Sequence, residues 1–152
     1  MSKKKQPFKQ AVTNTEDIRN CYQKGLKALG NNCSAIKPSN TSLCNGSVDI
    51  DTCTKTIYPN APRWDYAFSY KNEVYFVEVH SAQTGEVRAV LNKLKWLKDW
   101  LNSQAPEINK LKAKEKAFTW VSSGRFSILK TSPQYKQCAQ KGLIPVSSLS
   151  IT

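Results

Sequence analysis

Hydrophobic and polar positions alternate most regularly in two neighbouring runs, Arg63-Trp64-Asp65-Tyr66-Ala67-Phe68-Ser69-Tyr70 and Glu73-Val74-Tyr75-Phe76-Val77-Glu78-Val79-His80. Both are rich in aromatic and β-branched residues, and only Lys71-Asn72 separates them, which predicts a β-hairpin with a two-residue loop. A loop symmetric about that pair sets Ser69 against Val74, Ala67 against Phe76, Asp65 against Glu78 and Arg63 against His80. Trp64, Tyr66, Phe68, Tyr75, Val77 and Val79 fall on the other face, so both sides of the hairpin are expected to be covered.

Helical periodicity marks what lies on either side. Thr13-Asn14-Thr15-Glu16 has the form of a capping box, and Ile18, Cys21, Tyr22, Gly25 and Leu29 recur at helical spacing as far as Gly30, predicting a first helix against the sheet. After the hairpin, Val87, Val90, Leu91, Leu94, Leu97 and Leu101 line one side of a second helix with Thr84 as its N-cap. Lys98 falls within that stripe and is expected to snorkel. Trp96 and Trp100 fall outside it, either packed under another segment or offering a flat surface to a base.

The remaining segments are shorter. Residues 31–60 are rich in Asn, Ser, Pro and Gly, and Ser47-Val48-Asp49-Ile50-Asp51 is the expected first strand. Ala117 to Ser122 and Phe126 to Lys130 read as two further strands. Ser132-Pro133 opens a short helix that Gly142 closes, and Leu143 to Ile151 ends the chain in extended form.

Composition narrows the partner more than the fold. With 152 residues, 39% hydrophobic and 22% charged, the chain fits one globular domain. The reading is a basic flexible arm over 1–12 and a single α/β domain over 13–152, with a mixed central β-sheet flanked by helices. A formal charge of +12 is unusual, and it favours a polyanion, DNA or RNA, over an acidic membrane surface. Lys110, Lys112, Lys114 and Lys116 alternate, so in an extended conformation they would share one side and could track a phosphate backbone; as a charge run they also read as a solvated linker. No run is apolar for long enough to span a bilayer and no secretory signal is visible, so a cytoplasmic location is expected. Five cysteines without a C-x-x-C pair point away from zinc and from a disulfide framework, and toward free thiols.

The chemistry lies at one end of the hairpin. Directly opposed Cβ atoms are about 4.5 to 5.5 Å apart, so Asp65 and Glu78 would repel unless a cation or a shared proton intervened. A divalent metal is the simpler remedy. His80, the only histidine, shares the face of Glu78 and is either a general base or a strand-end imidazole bonded to a carboxylate.

Asp65, twelve residues, then Glu78-Val79-His80 resembles the signature of the PD-(D/E)xK nuclease superfamily, an acid on one strand and Glu-x-Lys on its antiparallel neighbour. Trp64 stands where the family has proline, and His80 occupies the lysine position. The resemblance implies a restriction-endonuclease-like αβββαβ core. It also implies Mg²⁺ (or Mn²⁺) held by Asp65 and Glu78 with help from the Val79 carbonyl, and a catalytic set of Asp65, Glu78 and His80. A first-helix acid, Glu16 or Asp17, becomes conceivable as a further ligand, although acids suit a first helical turn in any case. Asp49 or Asp51 is a candidate outer-shell ligand. Arg63, Gln83, Arg88 and Lys95 are the candidate nucleic-acid contacts, the middle two beside the positive end of the second helix.

The expected function is therefore a metal-dependent nuclease-like protein hydrolysing phosphodiester bonds in DNA or RNA. The alternatives are a catalytically inactive nuclease fold that binds nucleic acid, and a basic structural protein in which the two acids merely pair with neighbouring cations. A protein of this size that cuts both strands of a duplex is expected to work with a twin, as a homodimer, or with a partner.

Overall fold

The hairpin forms around its loop. In the computed structural model, which describes residues 6–152, Lys71 and Asn72 both take positive φ, 50° and 64°, the pairing a two-residue turn of the primed type requires. The turn joins β3 (Tyr66–Tyr70) to β4 (Glu73–His80) in antiparallel register, with Ala67 against Phe76 and Ser69 against Val74 as expected. Ahead of β3, β2 (Cys44–Asp49) pairs antiparallel with it, and β5 (Phe118–Ser122) lies parallel to β4, giving the order β2-β3-β4-β5. A separate parallel pair joins β1 (Ile36–Pro38) to β6 (Leu149–Ile151).

Alternation along the strands sends side chains to two cores. Ala67, Val74, Phe76 and Trp120 enter the larger one, shared with Phe8 and Val12 of α1 (Pro7–Thr13), with Val90, Leu94 and Leu97 of α3 (Val87–Ser103), with Ile108 of α4 (Pro106–Asn109), and with Cys138 of α5 (Pro133–Gln140). Phe68, Tyr70, Val77 and Val121 enter the smaller, closed by Leu29, Ile36, Leu149 and Ile151. Both faces are covered. The molecule is a single α/β domain: a mixed four-stranded sheet, a two-stranded sheet, and helices. Among the described residues no helix is long and apolar enough to cross a membrane.

Five expectations about the fold are corrected. Residues 14–29 do not make an α-helix: between 3₁₀ turns at Glu16–Ile18 and from Lys27 onward the chain is drawn along the open edge of β2, where Gln23 and Ser47 exchange backbone hydrogen bonds of 2.9 and 2.8 Å and Gly25 takes φ 52°. Edge pairing outcompetes the periodicity. Helix α1 forms earlier, from residues assigned to the basic arm, because proline at its first position presets φ and Phe8, Ala11 and Val12 have a core to enter; residues 1–5 of that arm lie outside the described residues.

The segment 126–130 is not a strand. Ser127 meets the residues after β4 once, through its amide and the Ala82 carbonyl at 2.9 Å, and only Ile128 turns inward while Phe126 and Leu129 are exposed. The expected strand 47–51 is displaced, since Asp49 accepts from the Thr52 amide at 2.9 Å and so caps α2 (Ile50–Thr54) instead of continuing β2. The thiols are not all free: Cys21 and Cys53, far apart in sequence, form a disulfide, leaving Cys33, Cys44 and Cys138. An odd count concealed an even pair.

Candidate active site

The backbone leaves the sheet at Asp65, one residue before β3, and the side chains of the acidic pair take over the work of the ladder. The Asp65 amide donates to Glu78 Oε1 at 3.1 Å, and the Val79 amide donates to Asp65 Oδ2 at 3.0 Å. These reciprocal bonds lock both carboxylates at the end of the hairpin, Glu78 fully buried and Asp65 partly so. From the other side, the Asp65 carbonyl receives the Ile50 amide at 2.8 Å at the start of α2.

A cation from outside the hairpin completes the cluster. Lys93 on α3 donates from Nζ to Glu78 Oε2 at 2.6 Å. His80 bridges two acids: Nε2 donates to Glu86 Oε2 at 2.9 Å, and Nδ1 stands 3.5 Å from Glu78 Oε2. The five side chains Asp65, Glu78, His80, Glu86 and Lys93 thus come from β4, the residue before β3, and the first turns of the long helix.

Electrostatics follow from this crowding. Burial, then the adjacent Glu78 charge, pushes the Asp65 carboxyl up to about 7, against the pull of the Val79 amide and Lys93. The hydrogen-bonding interaction with Glu78 raises the His80 imidazole, with Glu86 adding to it against burial. For Lys93 burial favours the neutral amine, but attraction and hydrogen bonding to Glu78 outweigh it and the net shift is upward. The site therefore gathers Lys93 and His80 around a buried acid pair in which burial and the neighbouring carboxylate favour the protonated form of Asp65.

Such a pair suits a hard divalent cation. Mg²⁺ takes oxygen ligands, is held by as few as one or two carboxylates and keeps several waters. Among the described residues no three His, Cys, Asp or Glu side chains converge on one metal position; Asp65 and Glu78 are the two carboxylates of the cluster that could hold a cation. Asp65 Oδ1 accepts no hydrogen bond from the described residues and is the free lone-pair position.

The other sequence candidates disperse. Arg63 does not face His80; its Nε binds Asp51 Oδ1 at 2.8 Å and its guanidinium donates to the Tyr58 carbonyl at 2.6 Å, because the strand ends before it can pair. Asp49 is the cap of α2. Asp17 accepts from Tyr58 Oη at 2.6 Å and from Trp100 Nε1 at 3.0 Å, so it anchors α3 and is no ligand of the pair; the Tyr58 hydroxyl is pushed up to about 12 by burial and that bond. Trp100 is buried and Trp96 stacks on it at 5.7 Å, which settles their place as packing. Gln83 and Arg88 are exposed near the start of α3. Lys95 is exposed and, at about 100° per residue, lies on the far side of the helix from Lys93. Thr84 opens a 3₁₀ turn and makes no side-chain cap.

Lys93 and Glu86 went unnoticed in the sequence. Yet Lys93 follows Val90 by three and precedes Leu97 by four, inside the buried stripe, and Glu86 lies about 20° from it two turns earlier. A lysine among buried positions was the available signal. No protein-family model, no curated protein and no solved structure matches this chain.

Proposed function

We propose that this protein is a metal-dependent phosphodiesterase acting on nucleic acid, with a PD-(D/E)xK-like site in which the lysine is delivered by the helix instead of the strand. The observation that carries this reading is Lys93 Nζ, 2.6 Å from the carboxylate of Glu78 and on the same acid pair that Asp65 joins. The strand order, three antiparallel strands and a parallel fourth reached through α3, supports an αβββαβ core of the restriction-endonuclease kind.

Asp65 and Glu78 would hold Mg²⁺ or Mn²⁺, which when bound supplies Lewis-acid polarisation of a phosphoryl oxygen. Lys93 pairs with Glu78 and places an ammonium where negative charge develops on the phosphodiester. His80 has a different part from the one its position suggested. Both ring nitrogens face acids, Nδ1 toward Glu78 and Nε2 toward Glu86, so His80 holds Glu78 in place as a positioning residue. The +12 charge brings the polyanionic substrate to this site.

The test is a cleavage screen with supercoiled plasmid, single-stranded DNA and structured RNA in Mg²⁺ and Mn²⁺. Asp65→Asn, Glu78→Gln and Lys93→Met are each expected to lower cutting by about 100-fold or more, while salt-sensitive binding survives. Intact substrates under every metal, pH and strandedness would overturn the reading in favour of binding without hydrolysis.

A further inference from the structure

The alternating lysines and Lys98 are not absorbed by the site just described, and the fold brings part of both together. Lys112 lies in a short extended stretch that pairs with β4: the Val74 amide donates to the Leu111 carbonyl at 2.8 Å and the Ala113 amide to the Val74 carbonyl at 2.9 Å. That pairing turns Ala113 inward and Lys112 outward. Its ammonium comes to 5.7 Å from the centroid of Phe118, the first residue of β5. Lys98, from α3, reaches the same ring at 5.4 Å. Lys98 also lines a cavity of about 250 Å³ with Lys95 and Lys141, in which Asp99 is the only acid.

Four lysines from α3, the segment before β5 and the end of α5 thus share one surface. None of them pairs with a carboxylate among the described residues, where the lysine ion pairs are those of Lys93 and Lys110. Two ammonium groups gathered on one phenyl ring, neither paired with a carboxylate among the described residues, repel, and the ring's quadrupole offsets only part of that. A row of phosphates would supply the missing counter-charge, each contact releasing condensed counterions.

The surface is also within reach of the acid pair. Phe118 pairs with Phe76 two residues before Trp120 pairs with Glu78, so about 7 Å separates them along the strands. Lys98 is five residues beyond Lys93, about 7.5 Å along the helix. We infer that Lys98 and Lys112 over Phe118, with Lys95 and Lys141, form a phosphate-binding track, on the side of α3 turned away from Lys93, that holds the nucleic-acid backbone apart from the bond to be cut. The track rests on the reading of this protein as a nucleic-acid enzyme, and it names where the substrate strand runs.

Binding of a fluorescein-labelled 20-mer, as single-stranded DNA, single-stranded RNA and duplex, is measured by anisotropy across salt in the Asp65→Asn background without divalent metal. Lys98→Gln/Lys112→Gln is expected to weaken binding at least 10-fold and to flatten the dependence of log K on log salt by roughly 1.4 to 1.8, the share of two phosphates. Lys24→Gln/Lys55→Gln, an equal loss of exposed charge elsewhere, is expected to change affinity less than threefold, and Lys98→Arg/Lys112→Arg to retain it. Equal effects of the two glutamine pairs, or no effect of the first, overturn the track while leaving the nucleic-acid reading intact. Absence of binding by the parent at low salt overturns both. Loss of sedimentation with phosphatidylserine vesicles, with oligonucleotide binding unchanged, would assign the surface to a membrane and overturn it as well.

Discussion

Asp65 is the residue whose ionisation is most at odds with its surroundings, and this has a measurable consequence for stability. Its folded carboxyl, up at about 7, binds a proton more tightly than the unfolded one near 3.8. The stabilisation from that proton is complete below the unfolded value and is lost as pH rises through the folded one. His80, also raised, acts in the same direction. With a chelator present, the urea midpoint should therefore fall between pH 4 and 7, and Asp65→Asn should flatten most of that slope. A parent whose stability rises over this interval would contradict the placement of Asp65 beside Glu78. Trp64, immediately before it, keeps an indole N–H buried without a hydrogen-bond partner, and nothing in the structure accounts for that.

Elements here are held by features weaker than their hydrophobic faces. The hairpin depends on two non-glycine residues at positive φ, which Asn72 tolerates because asparagine visits the left-handed region and a β-branched residue does not. Asn72→Val is expected to cost about 1 to 3 kcal/mol, read as a lower urea midpoint, whereas Asn72→Gly keeps or raises it. The segment between α1 and β1 has no regular structure beyond 3₁₀ turns, and the Cys21–Cys53 bond ties it to α2. Cys21→Ser/Cys53→Ser should destabilise the fold by about 2 to 4 kcal/mol, the usual effect of removing such a crosslink; an unchanged midpoint would show that the edge pairing through Gln23 suffices.

At the scale of the whole molecule, charge and site act on different variables. If Asp65 and Glu78 hold a divalent cation, that cation binds the folded chain only and raises stability by mass action, about 2.7 kcal/mol at a hundredfold excess over its dissociation constant. Mg²⁺ or Mn²⁺ should raise the melting temperature of the parent at pH 8, and Asp65→Asn/Glu78→Gln should abolish the rise. The lysine surface around Phe118 should leave that shift untouched, since its four lysines touch neither acid.

What was legible from the sequence is local or periodic. The register of the hairpin from Tyr66 to Tyr70, the apolar stripe of α3 and the serine cap of α5 follow from neighbours a few residues apart and stand in the structure. Trp64, expected on the face of Phe68, instead enters the larger core with Ala67 and Phe76, because the strand begins only at Tyr66. Asp65 and Glu78 meet as well, but beyond the last ladder pair, through side-chain bonds to backbone amides instead of strand pairing. Tertiary structure alone decided the rest. Periodicity at 18–29 gave way to the demand of an open strand edge for hydrogen bonds, and a disulfide pair hid in an odd count because cysteine spacing carries no distance. Lys93 came to the acid pair, and Lys98 and Lys112 to one ring, because helix and strand fold over each other, and no pattern along a single element records which side chains that crossing brings together.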